Sequence, residues 1–309
     1  RFEVTDAAVS VIIPAYNARP WIGDAIESAL RQTHPPREVI IVDDGSEDGT
    51  DEMVLARFGD RVRVLRQENR GLAAARNAGL AAAGGELIQF LDADDVLLDR
   101  KLEKQVALLG RAPRLDVAYC DYAFFADGRP EHRWPSGHEP PPADSQPLLH
   151  LIRGNTIAVH AALSRRVRIQ EIGGFDESLG ACEDLDLWLR MAAAGCRFQY
   201  IPEVLVLYRV RPGSMSGDAV RQAEWTIEVL TRADRPELPG PARQAVRRSL
   251  IRFRNMLVLA RLRNALTLLR QGRIGAGAAG LLRALATDPL GIPGRIARLL
   301  TVMRPGRRR

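Results

Sequence analysis

The chain has 309 residues, of which 46% are hydrophobic and 27% are charged. This length and apolar content allow a sizeable folded core and exclude an intrinsically disordered chain. The three cysteines form no C-x-x-C pair, and their odd number argues against a disulfide framework, so we expect a reduced compartment.

No run of about 18 consecutive apolar residues occurs, so the sequence predicts no membrane-spanning helix. The residues before Val9 lack the charged, apolar and cleavable pattern of a signal segment. We therefore expect a cytoplasmic protein, either soluble or held peripherally on the cytoplasmic face of the inner membrane.

The net charge of +6 combines +15 for residues 241–309 with −9 for residues 1–240. The basic segment contains 16 Arg, no Lys and one acidic residue. An acidic body with a basic tail indicates two separate roles, or a single role performed at an anionic surface.

Short apolar runs alternate with segments of helical periodicity in the first third of the chain. This alternation predicts an α/β fold with a mainly parallel sheet covered by helices on both faces. The predicted strands are residues 9–14, 38–44, 61–67 and 86–91, and the predicted helices lie at 20–32, from Asp48 onward, and at 71–83.

The segment 127–147 is crowded with Pro, Gly and His, and we predict a substrate-facing flap there rather than a regular element. More elements are predicted around it, and the chain then becomes wholly helical. The predicted strands are 116–122, 157–163 and 198–208, and the predicted helices are 100–110, 183–194, 245–269 and 281–300.

The run Glu86–Asp95 is apolar until it ends in three carboxylates within four positions. Ligands of open α/β sheets bind outside the carboxyl ends of the strands, where Asp92, Ala93 and Asp94 are expected. Alternating residues of an extended segment point the same way, so Asp92 and Asp94 can offer two hard oxygen ligands to one divalent cation. The alternative is that these carboxylates begin the next helix, with Asp99 as its cap.

The first two predicted strands also end in polar side chains. An aromatic ring and an amide follow the first strand and can contact a nucleobase, while paired carboxylates follow the second and can accept its hydrogen bonds. The second pair also suits an ordinary turn leading to a helix cap. The residues concerned are Pro14, Ala15, Tyr16 and Asn17, then Asp43 and Asp44.

Other chemistries find no support in the sequence. Neither G-x-x-x-x-G-K-[ST] nor G-x-G-x-x-G after a strand is present, so neither an ATPase nor a nicotinamide enzyme is indicated. The spacing of the five histidines, His160 among them, matches no zinc motif, and we interpret them as structural or as acceptor contacts. Arg165, Arg166 and Arg168 suit a solvated face, so we expect no nucleic-acid partner.

Five separated motifs occur in the order VSVIIPAYN, EVIIVDDGSEDGT, QENRGLAAARNAGL, ELIQFLDADD and FDESLGACEDLDLWLRM. In its order, spacing and residue identities, this series of motifs resembles the family 2 glycosyltransferases of the Rossmann-like GT-A fold over about the first 215 residues. The resemblance implies a nucleotide-sugar-binding catalytic domain over residues 1–215, followed by a basic helical extension over 216–309.

The resemblance also implies roles for individual residues. Tyr16 would line the base pocket and Asp43 would accept a hydrogen bond from the uracil imide. Arg76 would meet the nucleotide, Asp92 would serve the ribose and the metal, and Asp94 would bind the metal. The implied donor is a UDP-sugar, and the implied cofactor is Mn²⁺ or Mg²⁺, which would neutralise the leaving diphosphate as a Lewis acid.

Members of this family use a carboxylate of an E-D pair as the base that deprotonates the acceptor hydroxyl. The pair here is Glu183 and Asp184, and we favour Asp184, with Glu183 as the alternative. A base opposite the leaving group predicts in-line displacement with inversion at the anomeric carbon. Carboxylates in a first helical turn are, however, also favoured by the helix dipole whatever the function.

One position departs from the family pattern. Such enzymes often carry a tyrosine-arginine pair followed two positions later by a histidine that approaches the metal or the diphosphate, and Arg211 stands there in this chain. Arginine cannot ligate a metal, but its fixed charge can clamp a diphosphate. We hypothesise weaker metal dependence, with Arg211 sharing the neutralisation.

The predicted acceptor is a glycan or lipid-linked glycan of a cell-surface pathway, an expectation that rests on the usual acceptors of the family.

Residues 245–269 are amphipathic and basic, which suits either an anionic membrane surface or packing within the protein. The terminal 304–309 stretch is expected to be either membrane-directed or disordered. Sugar nucleotidylyltransferases share a similar fold but have a Gly-rich basic loop that PAYNARPW does not match, and the non-enzymatic alternative is an inactive nucleotide-sugar sensor or membrane-associated scaffold.

Overall fold

The computed structural model describes residues 7–137, 146–211, 214 and 217–287. The chain divides into two compact units, residues 1–214 and 215–309. Part of the predicted flap, at 138–145, lies outside the described residues, as do the end of the last predicted helix and the 304–309 stretch.

The described part of the first unit alternates strands and helices. The strands are β1 (Val9–Ala15), β2 (Glu38–Asp43), β3 (Arg63–Arg66), β4 (Leu87–Phe90), β5 (Val96–Leu97), β6 (Val117–Ala126), β7 (Arg129–Pro135), β8 (Ala162–Arg165) and β9 (Phe198–Val210). The helices are α1 (Ile22–Leu30), α2 (Thr50–Phe58), α3 (Leu72–Ala82), α4 (Lys101–Arg111), α5 (Pro147–Arg153), α6 (Arg166–Glu171) and α7 (Glu183–Ala193). Short 3-10 turns occupy Gly59–Arg61 and Val159–Ala161, so part of the strand predicted at 157–163 is a turn that leads into β8.

These strands form one sheet in the order β3-β2-β1-β4-β8-β6-β9-β5, with β7 paired to the outer part of β6. The first four strands in that order are parallel, as predicted. Beyond β4 the sheet is mixed, because β8 runs antiparallel to both β4 and β6 while β6 and β9 are parallel. The α/β architecture is therefore confirmed, and the parallel arrangement is confined largely to its first half.

Continuous apolar runs form the central strands because both faces of the sheet are covered. Val11 and Ile13 belong to the core that includes Ile22 and Ile26 of α1. On the other face α3 approaches so closely that a Cβ added to Gly79 would lie 2.3 Å from Ile12. Each fully buried Ile or Val side chain contributes roughly 1.5–3 kcal/mol, so these central strands fix the frame that carries the loops.

The parallel register brings the carboxyl ends of β1, β2 and β4 to one edge. Ala15 pairs with Asp43, and the N–H of Leu91 donates to the carbonyl of Ile12 at 2.9 Å. The polar segments that follow these strands therefore lie side by side, as the sequence predicted.

The expectation of a flap without regular structure over 127–147 is wrong for the described part. Gly128, at φ 71°, makes a tight turn after β6, and Arg129–Pro135 returns as the antiparallel strand β7. All seven residues of β7 are exposed, which explains why a sequence with two prolines and several charges is tolerated there. The ring of Trp134 packs on that of Phe124 at 6.0 Å.

The buried amine of Lys101 links α4 to strand β4 of the sheet by hydrogen bonds. Lys101 Nζ donates to Gln105 Oε1 at 2.5 Å and also to Gln89 Oε1. Burial lowers the pKa of Lys101 to about 8. The amide of Gln89 donates in turn to the carbonyl of His160 at 2.9 Å, so this network fixes the backbone that presents the His160 ring.

The second unit is helical where it is described. Its helices are α8 (Ala219–Ala233), α9 (Gly240–Arg270) and α10 (Ile274–Thr287), so the helix predicted at 245–269 is confirmed within α9. Val258, Leu262 and Ala284 form a small apolar core between α9 and α10. Among the described helices of the whole chain, none combines the length and the apolar character that crossing a lipid bilayer requires.

Candidate active site

A single arginine joins two separated parts of the first unit. Arg76 of α3 is buried, and its Nη2 donates to Asp92 Oδ1 at 2.6 Å while its Nη1 donates to Glu183 Oε1. Burial opposes the positive charge, but the two carboxylates hold the pKa of Arg76 above its ordinary value. The loop after β4 and the start of α7 are thus held together by one guanidinium.

Asp92 belongs to a second group of charges with Asp95 and His160. His160 Nδ1 lies 2.8 Å from Asp95 Oδ2 and 3.9 Å from Asp92 Oδ2. Burial works to lower the pKa of His160, yet the two carboxylates raise it above its ordinary value. Burial likewise works to raise the pKa of Asp92, but Arg76 and His160 hold it well below its usual range. Asp92 is therefore an anion at neutral pH.

These carboxylates do not begin a helix, so the alternative with Asp99 as a cap is wrong. Asp92 and Asp95 close a turn through a backbone hydrogen bond of 3.1 Å, β5 follows at once, and α4 begins only at Lys101. The turn places Asp92, Ala93 and Asp94 just after the carboxyl end of β4, at the edge of the sheet.

Asp94 is held by two arginines that follow one another along β9 and just beyond it. Arg209 Nε donates to the backbone carbonyl of Asp94 at 2.7 Å, and Arg211 Nε donates to Asp94 Oδ2 at 2.8 Å. The guanidinium of Arg211 also lies 4.1 Å from the ring centroid of Trp21. Arg211 therefore touches the carboxylate that the sequence assigns to a metal.

The oxygens present suit a hard divalent cation. Asp92 and Asp94 offer the predicted carboxylate ligands, and Asp92, Asp95 and His160 offer ligand atoms that lie within 4.8 Å of one another. Asp95 and His160 already neutralise each other inside the protein, whereas the carboxylates of Asp92 and Asp94 are partly exposed. Among the described residues, the three whose ligand atoms lie close enough to hold one ion together are Asp92, Asp95 and His160.

The two aspartates after β2 have different surroundings. Asp43 is fully buried, and its Oδ1 accepts from the Ser46 N–H at 2.9 Å. Within the described residues no donor reaches Asp43 Oδ2, although that atom is buried. Asp44 instead accepts from Gln67, Arg70 and Gly71 at 2.7 to 2.9 Å, so it holds the loop that leads into α3.

The residues at the end of β1 also differ in how far they are buried. Pro14 and Ala15 are buried within the strand, whereas the ring of Tyr16 is 52% exposed at the edge. Asn17 adopts φ 50°, and its Oδ1 accepts from the Glu47 N–H at 2.9 Å, which joins the loops after β1 and β2. Tyr16 is thus the side chain of this group that is free to stack on a planar ligand.

Asp184 lies next to Glu183 but in a different environment. Its Oδ2 accepts from Asn155 Nδ2 at 2.8 Å, and its Oδ1 accepts from the Leu185 N–H at 2.7 Å. Burial and the neighbouring charge of Glu183 raise the pKa of Asp184 to about 6. Glu183 is thus paired with Arg76, whereas the two oxygens of Asp184 accept from an amide side chain and a backbone N–H.

Four residues of this site were not assigned to it from the sequence. Only Asp95 had a signal, since it belongs to the D-A-D-D run. A lone histidine, an asparagine and a tryptophan that follows the first motif by four residues give no indication of where the fold places them. These residues are Asp95, His160, Asn155 and Trp21.

The α/β sheet order of the first unit, with carboxylates after β2 and β4, matches the GT-A class of folds. The profile described as "Glycosyl transferase family 2" matches residues 10–169, about half of the chain. The chain therefore belongs to glycosyl transferase family 2.

Two curated relatives agree with this assignment. The chain is 34% identical over 225 residues to "Uncharacterized glycosyltransferase RP339" of Rickettsia prowazekii, an alignment that covers 70% of this chain and 68% of the relative. It is 32% identical over 231 residues to "Putative teichuronic acid biosynthesis glycosyltransferase TuaG" of Bacillus subtilis, covering 74% of this chain and 88% of that protein.

Solved structures share the fold at low identity. The mannosyltransferase PcManGT of Pyrobaculum calidifontis, solved with GDP-Man and Mn²⁺, superposes with a TM-score of 0.63 at 23% identity over 96% of this chain and 80% of that one. Residues 1–349 of S. aureus TarS, solved with UDP-GlcNAc, give 0.58 at 18% identity over 92% of each chain. These similarities confirm the GT-A fold.

The Arg76 bridge predicts a large loss of stability in Arg76→Ala. Removing the guanidinium leaves Asp92 and Glu183 without their shared cation, and breaking a buried ion pair costs about 3–5 kcal/mol in the free energy of unfolding. Urea denaturation followed by circular dichroism measures it. The control is Arg57→Ala, which removes an exposed pair with Glu27 and should cost less than about 1 kcal/mol. Equal losses in the two variants would contradict the assignment.

Proposed function

We propose that this chain is an inverting glycosyltransferase that moves a sugar from a UDP-sugar to a hydroxyl of a glycan or lipid-linked glycan. The observation that carries the proposal is the shared guanidinium of Arg76, which holds the strand-end Asp92 and the Glu183-Asp184 pair in one site. This contact supports the proposal, because it joins the edge proposed to bind the donor to the carboxylate pair proposed to supply the base. The first unit is the proposed catalytic domain and the second its helical extension.

The donor would lie across the carboxyl edge of β1, β2 and β4. The exposed ring of Tyr16 offers a stacking surface for a base, and the imide N–H of uracil would supply the donor that Asp43 Oδ2 lacks among the described residues. Asp92 would face the ribose. The bound nucleotides named for TarS and PcManGT, UDP-GlcNAc and GDP-Man, support a nucleotide-sugar donor of this class.

Asp94, with Asp92, would hold a divalent cation, Mn²⁺ or Mg²⁺. When bound, the cation supplies positive charge to the diphosphate as the sugar departs. Arg211 lies at the same carboxylate and adds a fixed positive charge to the leaving group. The Mn²⁺ named for PcManGT supports the choice of ion.

Asp184 is the proposed base, because Glu183 is committed to Arg76 while Asp184 is partly exposed and has a pKa raised to about 6. A carboxylate with a pKa near the working pH accepts a proton efficiently. Deprotonation of the acceptor hydroxyl on the side opposite the diphosphate gives in-line attack and inversion.

The proposed setting is the synthesis of a cell-surface polysaccharide in the cytoplasm, at the inner membrane. The name of the relative TuaG, a putative teichuronic acid biosynthesis enzyme, supports this setting. Exposed arginines of α9 surround exposed Ile251 and Met256, which suits a helix lying on anionic lipid.

Calorimetric titration with nucleoside diphosphates tests the donor. We expect UDP to bind more tightly with Mn²⁺ than with excess EDTA, and Asp94→Ala to abolish that difference. The matched control is Asp99→Ala, an exposed carboxylate on the same chain, which should behave as the wild type. Preference for GDP would change the donor class, and failure of every nucleotide to bind would favour a scaffold instead.

Asp184→Asn should lower kcat by about a thousandfold without changing the affinity for the donor, as expected for loss of a general base. The wild-type kcat/KM should fall about tenfold per pH unit below about 6, because a protonated Asp184 cannot accept the hydroxyl proton. Release of nucleoside diphosphate from the donor measures both. Asp186→Asn, in the same helical turn, is the control, and a variant Asp184→Asn with normal kcat would exclude Asp184 as the base.

Flotation with vesicles tests the membrane proposal. The chain should float with anionic vesicles at low salt and not with neutral ones, and the double variant Arg248→Gln/Arg252→Gln should float less because two exposed charges beside Ile251 are removed. Equal recovery with neutral and anionic vesicles, or no flotation at low salt, would exclude electrostatic attachment.

A further inference from the structure

The side chain of Arg211 is held in the site by two contacts. Its Nε donates to Asp94 Oδ2 at 2.8 Å, and its guanidinium lies over the Trp21 ring at 4.1 Å from the centroid. Trp21 Nε1 donates to Asp127 Oδ2 at 3.2 Å, and Asp127 also accepts from Arg209. The Arg211 guanidinium is therefore held by the Asp94 carboxylate and the Trp21 ring, and Asp127 in turn holds Trp21.

The two arginine–aspartate pairs of the site differ in how firmly they are held. Arg76 is 2% exposed and shares its guanidinium between Asp92 and Glu183. Arg211 is 26% exposed, and within the described residues Asp94 is the only carboxylate in ion-pair distance of it. Releasing Arg76 would strand two carboxylates, whereas releasing Arg211 uncovers one that is itself partly exposed to water. Arg211 is thus the exchangeable partner.

A guanidinium and a divalent cation that share the Asp94 carboxylate repel each other, so a bound cation weakens the contact between Arg211 and Asp94. Arg211 matches the geometry of phosphate oxygens through its planar set of N–H donors. The side chain of Arg211 has a flexible aliphatic stem. Its guanidinium can therefore leave the Trp21 ring while the Arg211 backbone stays in place after β9.

We propose that Arg211 is a resident cation that changes partner: it neutralises Asp94 in the free protein, and moves to the diphosphate when a divalent cation takes its place on Asp94. This rests on the proposed donor site. Metal and diphosphate then bind with positive coupling, and the metal alone binds weakly. The exchange also keeps Asp94 paired at every stage, so the site never holds an uncompensated carboxylate.

Mn²⁺ binding without any nucleotide tests the first half of the exchange. Titration of Mn²⁺, followed by electron paramagnetic resonance of the free ion, should show Arg211→Ala binding Mn²⁺ about tenfold more tightly than the wild type, or roughly 1.4 kcal/mol. The control Arg57→Ala removes one positive charge from an exposed pair elsewhere in the first unit and should match the wild type. Adding Asp94→Asn to Arg211→Ala should abolish the gain.

Pyrophosphate with saturating Mn²⁺ tests the second half, because Arg211 is proposed to move to the phosphates only when the cation has taken its place on Asp94. Calorimetry should show that Arg211→Ala binds it about tenfold more weakly than the wild type, with Arg57→Ala again unchanged. An Mn²⁺ affinity within twofold of the wild type in Arg211→Ala overturns the resident cation, and unchanged pyrophosphate affinity overturns its transfer to phosphate. Neither measurement uses a nucleobase or sugar transfer, so failure of the donor assignment would appear separately, as absence of UDP binding.

Discussion

The site depends on the buried contact of Arg76 with Asp92 and Glu183. A carboxylate taken out of water is costly unless a cation and hydrogen bonds compensate it, and one guanidinium here compensates two. The contact also joins the loop after β4 to the first turn of α7, which are far apart in the sequence. Without it, the acidic strand end and the Glu183-Asp184 pair would repel each other.

Around this bridge, exposure separates the charges that hold the fold from those that remain available. Asp95 and His160 neutralise each other in the interior, and Arg209 fixes the backbone of Asp94 and the carboxylate of Asp127. Asp184 and Asp94 remain partly exposed: among the described residues, Asp184 accepts from Asn155 and the Leu185 N–H, and Asp94 pairs with Arg211, which is itself partly exposed. Groups of the same chemical type thus take different roles according to what covers them.

Much of the fold followed from pattern alone. Continuous apolar runs identified the central strands, since only a sheet covered on both faces needs them, and the parallel register then placed Asp43 and Asp92 at one edge. Strand β7 did not follow, because an exposed edge strand carries no apolar alternation and its pairing with β6 is not local information. The mixed order beyond β4 is non-local for the same reason.

Local periodicity decides where each element starts and stops, so the order of residues was enough to show which strands end in carboxylates and which helix begins with them. The pairing of those carboxylates could be seen only in the folded chain: Asp44 with the loop before α3, Asp95 with His160, and Asp94 with Arg211 over Trp21. Ion pairs depend on distances between residues that are remote along the chain. Burial, which sets the pKa of each carboxylate, exists only once the sheet and its helices have packed.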